Sequence, residues 1–183
     1  MKNLFSVKGK VALVTGGSRG IGEMIAAGYL ANGAKVYISS RKAETCDATA
    51  ERLSKEYEGN CISIPADLSN LDGIAALVSE IKEDEGSLDI LVNNAGASWG
   101  EPIEEYSEKG WDKVMDTNVK GVFFLTQKLL PLLKASGNAD DPARVINIGS
   151  IDGIKTGLFD AFSYGPSKAA LHHLTRVLAA SLV

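Results

Sequence analysis

The string Tyr164-Gly-Pro-Ser-Lys168 contains two side chains that can work together as an acid and its supporting cation. At a spacing of four, a phenol and an ammonium lie one above the other on the same helix face. A free tyrosine ionises near pH 10 and is a poor proton donor at neutrality. A cation one turn away favours the phenolate and brings that ionisation toward the working range. Tyr and Lys at this spacing are also common on ordinary amphipathic helices, so the catalytic reading depends on what lies upstream. Pro166 is tolerated in a first helical turn, which predicts a helix starting near Tyr164.

A second chemical signal is Thr15-Gly-Gly-Ser-Arg-Gly-Ile-Gly22, which follows an apolar run and precedes a helical pattern. Glycines permit a tight turn and a close approach of backbone N–H groups to a pyrophosphate, and the helix N-terminus adds orphan donors and its positive dipole end. Gly16, Ser18, Arg19, Gly20, Ile21 and Gly22 are therefore candidate phosphate contacts. The spacing differs from the common Gly-x-Gly-x-x-Gly dinucleotide pattern. The following strand ends Ile38-Ser39-Ser40-Arg41-Lys42, without the acid that takes a ribose 2′-hydroxyl in NAD-selective sites. Arg41, with Arg19 in the loop, suits a 2′-phosphate, so the expected cofactor is NADP(H). The alternative reading of Arg41 and Lys42 is as solvated turn charges; Arg19 and the missing acid together favour NADP(H).

The elements that must position these groups alternate. Strands are expected at Val11–Val14, Lys35–Ser39, Cys61–Ile64, Leu88–Val92 and Arg144–Ile148, apolar on both faces as in buried parallel sheets. Helices are expected at Ile21–Ala31, Thr45–Tyr57 (Thr45 as N-cap), Leu71–Glu83 and about Ser107–Lys134, with Gly33 as a C-cap glycine and residues 136–142 as a polar loop. The fold class is α/β, a doubly wound parallel sheet of the Rossmann type in a single domain, with ligands bound beyond the carboxyl ends of the strands.

The 183 residues suffice for one core; 45% are hydrophobic and 23% charged, and no apolar run is long enough for a bilayer. A net charge of −4 is not the footprint of a nucleic-acid binder. Cys46 and Cys61 lack metal-ligand spacing and fit a reducing compartment, and the first residues are too short and polar for a secretory signal, so a soluble cytoplasmic protein is expected. His172 and His173 read as helix residues, one buried and one exposed, not as metal ligands.

Thr15–Gly22, Asn93-Asn-Ala-Gly96, Asn118, Ser150 and Tyr164-x-x-x-Lys168, in that order, resemble the short-chain dehydrogenase/reductase family from about residue 8 onward. Within it, Val145-Ile-Asn-Ile-Gly-Ser150 and the general texture are most similar to NADPH-dependent reductases of 3-oxoacyl thioesters, including relatives linked to rhamnolipid synthesis. The resemblance implies that Asp67 and Leu68 contact the adenine; Asp67 also reads as an N-cap of the next helix. It implies that Asn94, Ala95 and Gly96 let the backbone pass the adenosine ribose, and that Asn118 interrupts a helix and holds a water leading to Lys168. An Asn118 amide satisfied by its neighbours fits the sequence as well.

By the same resemblance, Ser150, 14 residues before Tyr164, donates to the substrate carbonyl; Tyr164 protonates the nascent alkoxide; Lys168 binds the nicotinamide ribose and supports the tyrosine. Ser163 and Ser167 point away from Tyr164 and read as structural. Trp99, Phe159 and Phe162 could line an apolar substrate pocket or belong to the core.

The family continues with two further strands and a substrate-covering loop, whereas this chain stops in the helix carrying Leu171, Leu174, Leu178 and Leu182. Truncation of a longer enzyme is the expectation; a short chain lacking a complete substrate site is the alternative. The expected activity is reduction of a ketone, best a 3-oxoacyl thioester. The alternatives are oxidation of a sugar, steroid or polyol alcohol, or dinucleotide binding without turnover. Assembly as a homodimer or homotetramer through Ser107–Lys134 and the helix from Tyr164 is implied by the resemblance.

Overall fold

The computed structural model describes residues 5–156 and 160–182. Five strands, β1 (Val11–Thr15), β2 (Lys35–Ser39), β3 (Cys61–Ser63), β4 (Ile90–Asn93) and β5 (Arg144–Asn147), form one parallel sheet in the order β3-β2-β1-β4-β5. Between them run α1 (Gly20–Ala31), α2 (Ala43–Glu56), α3 (Leu71–Asp84), α4 (Glu108–Met115) and α5 (Gly121–Ser136), and α6 (Tyr164–Leu182) follows β5. The doubly wound α/β expectation is met. From β1 the chain builds outward to β3, then returns to β4 on the other side of β1, so the connections after β1 and β4 diverge and open a crevice at the strand ends.

Side chains alternate across the central strands and feed two apolar layers. Ala12, Val14, Val36, Ile38, Ile90 and Val92 pack with Ala26, Leu30, Ala50 and Leu53 of α1 and α2. Leu13, Tyr37 and Leu91 pack on the opposite face with Ile74, Leu77 and Ile81 of α3 and Leu125 and Leu129 of α5. Both layers exclude water almost completely, which makes the central strands a rigid base for the loops above them. At the lower end, Asp89 accepts from the Val11 N–H (2.9 Å), Ser136 Oγ (2.7 Å) and Lys10 Nζ (2.9 Å), and Lys10 also reaches Asp141 at 2.7 Å.

Several expectations need correction. The second helix starts at Ala43, not at Thr45; its N-cap is Lys42, which makes no side-chain capping bond, and Thr45 instead lines the crevice. The expected helix Ser107–Lys134 is interrupted: Ser107 caps α4 through Gly110 N, a π turn follows at Asp116–Lys120, and α5 resumes at Gly121. Asn70, not Asp67, caps α3 by accepting from Gly73 N at 2.8 Å. β5 is not buried on both faces: Arg144 and Ile146, which share one face, are exposed, and among the described residues the strand pairs with β4 alone. Gly33 does follow α1 in the left-handed region (φ +80°) and donates to Leu30 O, and α6 does begin at Tyr164.

Candidate active site

The turn after β1 is built for close backbone approach. Gly16 has φ +64°, and a Cβ there would sit 2.9 Å from Asn94 Nδ2. A Cβ on Gly22 would come within 2.3 Å of Gly16 O, so α1 can press against the turn only with glycine at that position. The N-cap of α1 is Arg19, whose side chain makes no capping bond, and this leaves the first-turn N–H groups for an anion. Thr15 fastens the turn to the end of β4: its Oγ1 accepts from the N–H groups of Asn94 and Ala95, both at 3.0 Å, and donates to Val92 O.

These elements enclose a cleft of about 720 Å³. Gly16, Ser18, Arg19, Gly20, Ile21, Gly22, Arg41, Asp67, Leu68, Asn94, Ala95 and Gly96, all anticipated as cofactor contacts, line it together. The side chains have more specific duties than the sequence disclosed. Asn94 donates its amide to Thr15 O (2.9 Å) and Gly16 O (3.3 Å), bracing the phosphate turn. Asp67 accepts from the N–H and hydroxyl of Ser69, an Asx turn that holds the β3–α3 connection.

The same cleft is lined by residues that were not anticipated, among them Ser39, Ser40, Thr45 and Thr117. The Ser39 and Ser40 hydroxyl oxygens are closed to solvent and have no partner among the described residues. Polar atoms buried this way need a partner, and here they sit beside Arg41 at the end of β2. A glycine-rich phosphate turn, an uncapped helix start, orphaned hydroxyls beside a cation and a roomy cleft all fit a dinucleotide. The readable signal was the pair of serines ending a strand, where neither has a hydrophobic reason to be.

Beyond the Gly96 end of the cleft lies the acid–base group. Lys168 Nζ is buried, donates to Ile148 O at 2.8 Å and lies 5.8 Å from the centre of the Tyr164 ring. Burial holds the ammonium below the usual lysine range. A Cβ on Gly96 would lie 3.8 Å from Lys168 Nζ and 3.5 Å from Asn118 Oδ1, so this glycine separates the cleft from both groups. Tyr164 and Lys168 themselves stand outside the residues lining the cleft.

Asn118 is fully buried in the π turn, and its amide is satisfied by neighbours. It donates to Ala97 O (2.9 Å) and Ser167 Oγ (2.9 Å) and accepts from Ala97 N (2.8 Å). Ser167 in turn donates to Tyr164 O, so the serine read as structural is the link between Asn118 and the first turn of α6. Ser163 is likewise structural: its Oγ is 2.6 Å from Tyr106 Oη, which also donates to Trp99 O.

Ser150 begins a 3-10 turn, Ile151–Gly153, and its Oγ accepts from Asp152 N at 3.2 Å. Its own N–H donates to His172 Nε2 (3.4 Å), so His172 is half-buried and engaged, not a passive core residue, while His173 is exposed. Trp99 packs on Gly110 and lies under Lys113 Nζ (4.6 Å to the ring), which ties it to α4. Phe162 is partly exposed and edge-on to Tyr106; Phe159 lies outside the described residues.

A parallel sheet with a phosphate turn after its first strand and a Ser–Tyr–Lys group beside the same cleft defines a nucleotide-dependent oxidoreductase architecture. Residues 10–183 match the family described as short chain dehydrogenase, and the chain belongs to that family. It is 56% identical over its whole length to a Pseudomonas aeruginosa rhamnolipids biosynthesis 3-oxoacyl-(acyl-carrier-protein) reductase, of which it covers 71%. It is 37% identical over 180 residues to gluconate 5-dehydrogenase of Gluconobacter oxydans, covering 97% of this chain and 67% of that protein. Among solved structures, the P. aeruginosa RhlG/NADP active-site complex superposes with a TM-score of 0.94 at 56% identity, covering all of this chain and 70% of that one. L-Sorbose reductase of Gluconobacter frateurii, complexed with NADPH and L-sorbose, superposes with a TM-score of 0.89 at 29% identity, covering 96% and 65%.

Proposed function

We propose that this protein is an NADPH-dependent reductase that converts a 3-oxoacyl thioester to the 3-hydroxyacyl thioester. The observation that carries the reading is the meeting of Lys168, Tyr164 and the Ser150 turn on α6 at the Gly96 end of a cleft suited to a dinucleotide. The name of the P. aeruginosa relative and the NADP in its matching structure support both substrate class and cofactor.

When bound, the reduced nicotinamide supplies the hydride for the carbonyl carbon. The chain's own groups do the rest. Ser150, with its Oγ already accepting from Asp152, retains its hydroxyl proton to donate to the carbonyl oxygen and orient it. Tyr164 delivers a proton to the same oxygen as charge develops there. Lys168 places a cation near the phenol ring and, by burial, concentrates its field there. Asn118 acts through structure, joining Ala97 at the cleft to Ser167 on α6. Arg19 and Arg41, exposed at the rim and without an ion pair among the described residues, are suited to the 2′-phosphate.

The decisive assay follows NADPH absorbance with an acetoacetyl thioester. Tyr164→Phe should lower turnover by roughly 10²- to 10⁴-fold, the usual worth of a positioned general acid; a fully active variant overturns the role. Arg41→Ala should weaken NADP(H) much more than NAD(H). A sugar-acid or polyol substrate is the second reading, favoured by the likeness to gluconate 5-dehydrogenase; faster turnover of those alcohols than of the thioester would establish it.

The proposal extends to assembly and location. Trp111 on α4 and Val177 and Leu182 on α6 are exposed and apolar, which supports a homodimer or homotetramer through those helices. No helix among the described residues is long and apolar enough to cross a membrane, and both cysteines are unpaired, which supports a cytoplasmic setting.

A further inference from the structure

Resting on that reading of Ser150, Tyr164 and Lys168, we propose that His172 is a positioning residue that docks the Ser150 turn onto α6 and so sets the geometry between the serine and the tyrosine. His172 follows Lys168 by four positions and Tyr164 by eight, which places all three along one face of α6. Its Nε2 accepts the Ser150 N–H at 3.4 Å. The imidazole is clasped by glycines on both sides of Ser150. A Cβ on Gly149 would stand 2.3 Å from Nε2, and one on Gly153 would stand 2.8 Å from Cε1 and 2.8 Å from Ala169 N.

Gly149 makes room for the ring, and Gly153 for both the ring and the α6 backbone at Lys168 and Ala169; these are packing requirements, not a loop preference, since neither position lies in the left-handed region. Lys168 makes the companion tie two residues before Ser150, through Ile148 O at 2.8 Å. The end of β5 is thus pinned to α6 at two points, and the hydroxyl of Ser150 inherits its place from them. The accepting nitrogen must carry no proton, which places the proton of the neutral ring on Nδ1. A displacement of about 1 Å in a reacting group costs on the order of 100-fold in rate, which is the leverage available to a residue that touches no substrate.

The test uses His172→Phe, His172→Gln, His172→Ala and Gly149→Ala, with three readouts. Phenylalanine keeps a planar aromatic ring, somewhat larger than the imidazole, and removes the acceptor. It should lower kcat roughly 10- to 100-fold, leave KM and the NADPH Kd within about twofold, and speed amide exchange at Ser150. Glutamine can return an acceptor to the Nε2 position and should restore part of kcat. Gly149→Ala should be as damaging as His172→Phe in the native background, yet nearly silent in His172→Ala, where the added methyl meets open space. The proposal is overturned if His172→Phe keeps kcat within twofold of native, if Ser150 exchange is unchanged, or if the two substitutions simply add. Failure of the function reading looks different: native protein would reduce no 3-oxoacyl thioester, while Ser150 exchange and turnover of any other carbonyl substrate would still decide the role of His172.

Discussion

Asn118→Ala separates a structural amide from a directly catalytic one. The native amide makes three bonds, two of them to the backbone of Ala97. Truncation orphans the Ala97 N–H and C=O, whereas Ser167 keeps its bond to Tyr164 O at 2.7 Å. Each orphaned buried partner costs about 1–3 kcal/mol, and Ala97 is only partly buried, so a loss of about 3 kcal/mol is expected. For a chain of this size that corresponds to a fall in Tm of roughly 6–12 °C. Thermal unfolding followed by circular dichroism, with urea titration as a check, measures it. Asn118→Asp should be at least as damaging, because a carboxylate oxygen cannot donate and would face Ala97 O and the Ser167 hydroxyl. If Asn118→Ala melted within about 2 °C of native protein, the amide would not be holding the loop after β4 to α6. A native-like Asn118→Asp would show that the donations to Ala97 O and Ser167 Oγ contribute little to stability.

Other perturbations have equally definite signs. Gly22→Ala forces a methyl to 2.3 Å from Gly16 O, so NADPH affinity measured by fluorescence titration should fall at least about 10-fold, well beyond any loss of folding stability. Burial raises the Asp89 carboxyl, but Ser136, the Val11 N–H and Lys10 outweigh it and leave it below the usual range. Its contribution is therefore present above about pH 4 and lost as pH falls through the lower folded value; Asp89→Asn should flatten the acid limb of urea stability against pH. Lys168→Met should abolish turnover, with the loss of the bond to Ile148 O offsetting in stability what removal of a buried ammonium gains at neutral pH. Burial disfavours the ammonium, so the native lysine costs stability below its depressed folded value and that cost fades as pH rises through it. Burial, with Cys46 as a smaller neighbouring influence, pushes the Cys61 thiol up to about 12, so a thiol reagent at pH 8 should leave Cys61 unmodified until the protein unfolds.

The alternation of strands and helices was legible because the central strands are buried on both faces and read as unbroken apolar runs. The phosphate turn was legible because its glycines are demanded by the backbone itself. Boundaries were less so. Thr45 looks like a cap, yet α2 begins at Ala43 behind Lys42, and the threonine serves the cleft wall. Asp116–Lys120 itself holds neither glycine nor proline, and Gly121 directly after it reads as an ordinary helix glycine; the break coincides with the Asn118 amide caught by the loop after β4. Ser39 and Ser40 stood out as polar residues ending an apolar strand, but that their hydroxyls are orphaned is recognised only once their surroundings are known.

Residue types and spacing were enough to identify the α/β class, the anion-binding turn, the cation-rich end of β2 and the Tyr–Lys pair, because each is specified within a few neighbouring residues. The folded chain alone determined which group fills each buried valence. Ser150 and His172 are 22 residues apart, Asn118 and Ser167 are 49, and Lys10 and Asp141 are 131. Hydrogen bonds and excluded volume act over a few ångströms, whatever the distance along the chain. His172 could therefore look like an ordinary helix residue until the parallel sheet brought the end of β5 against α6.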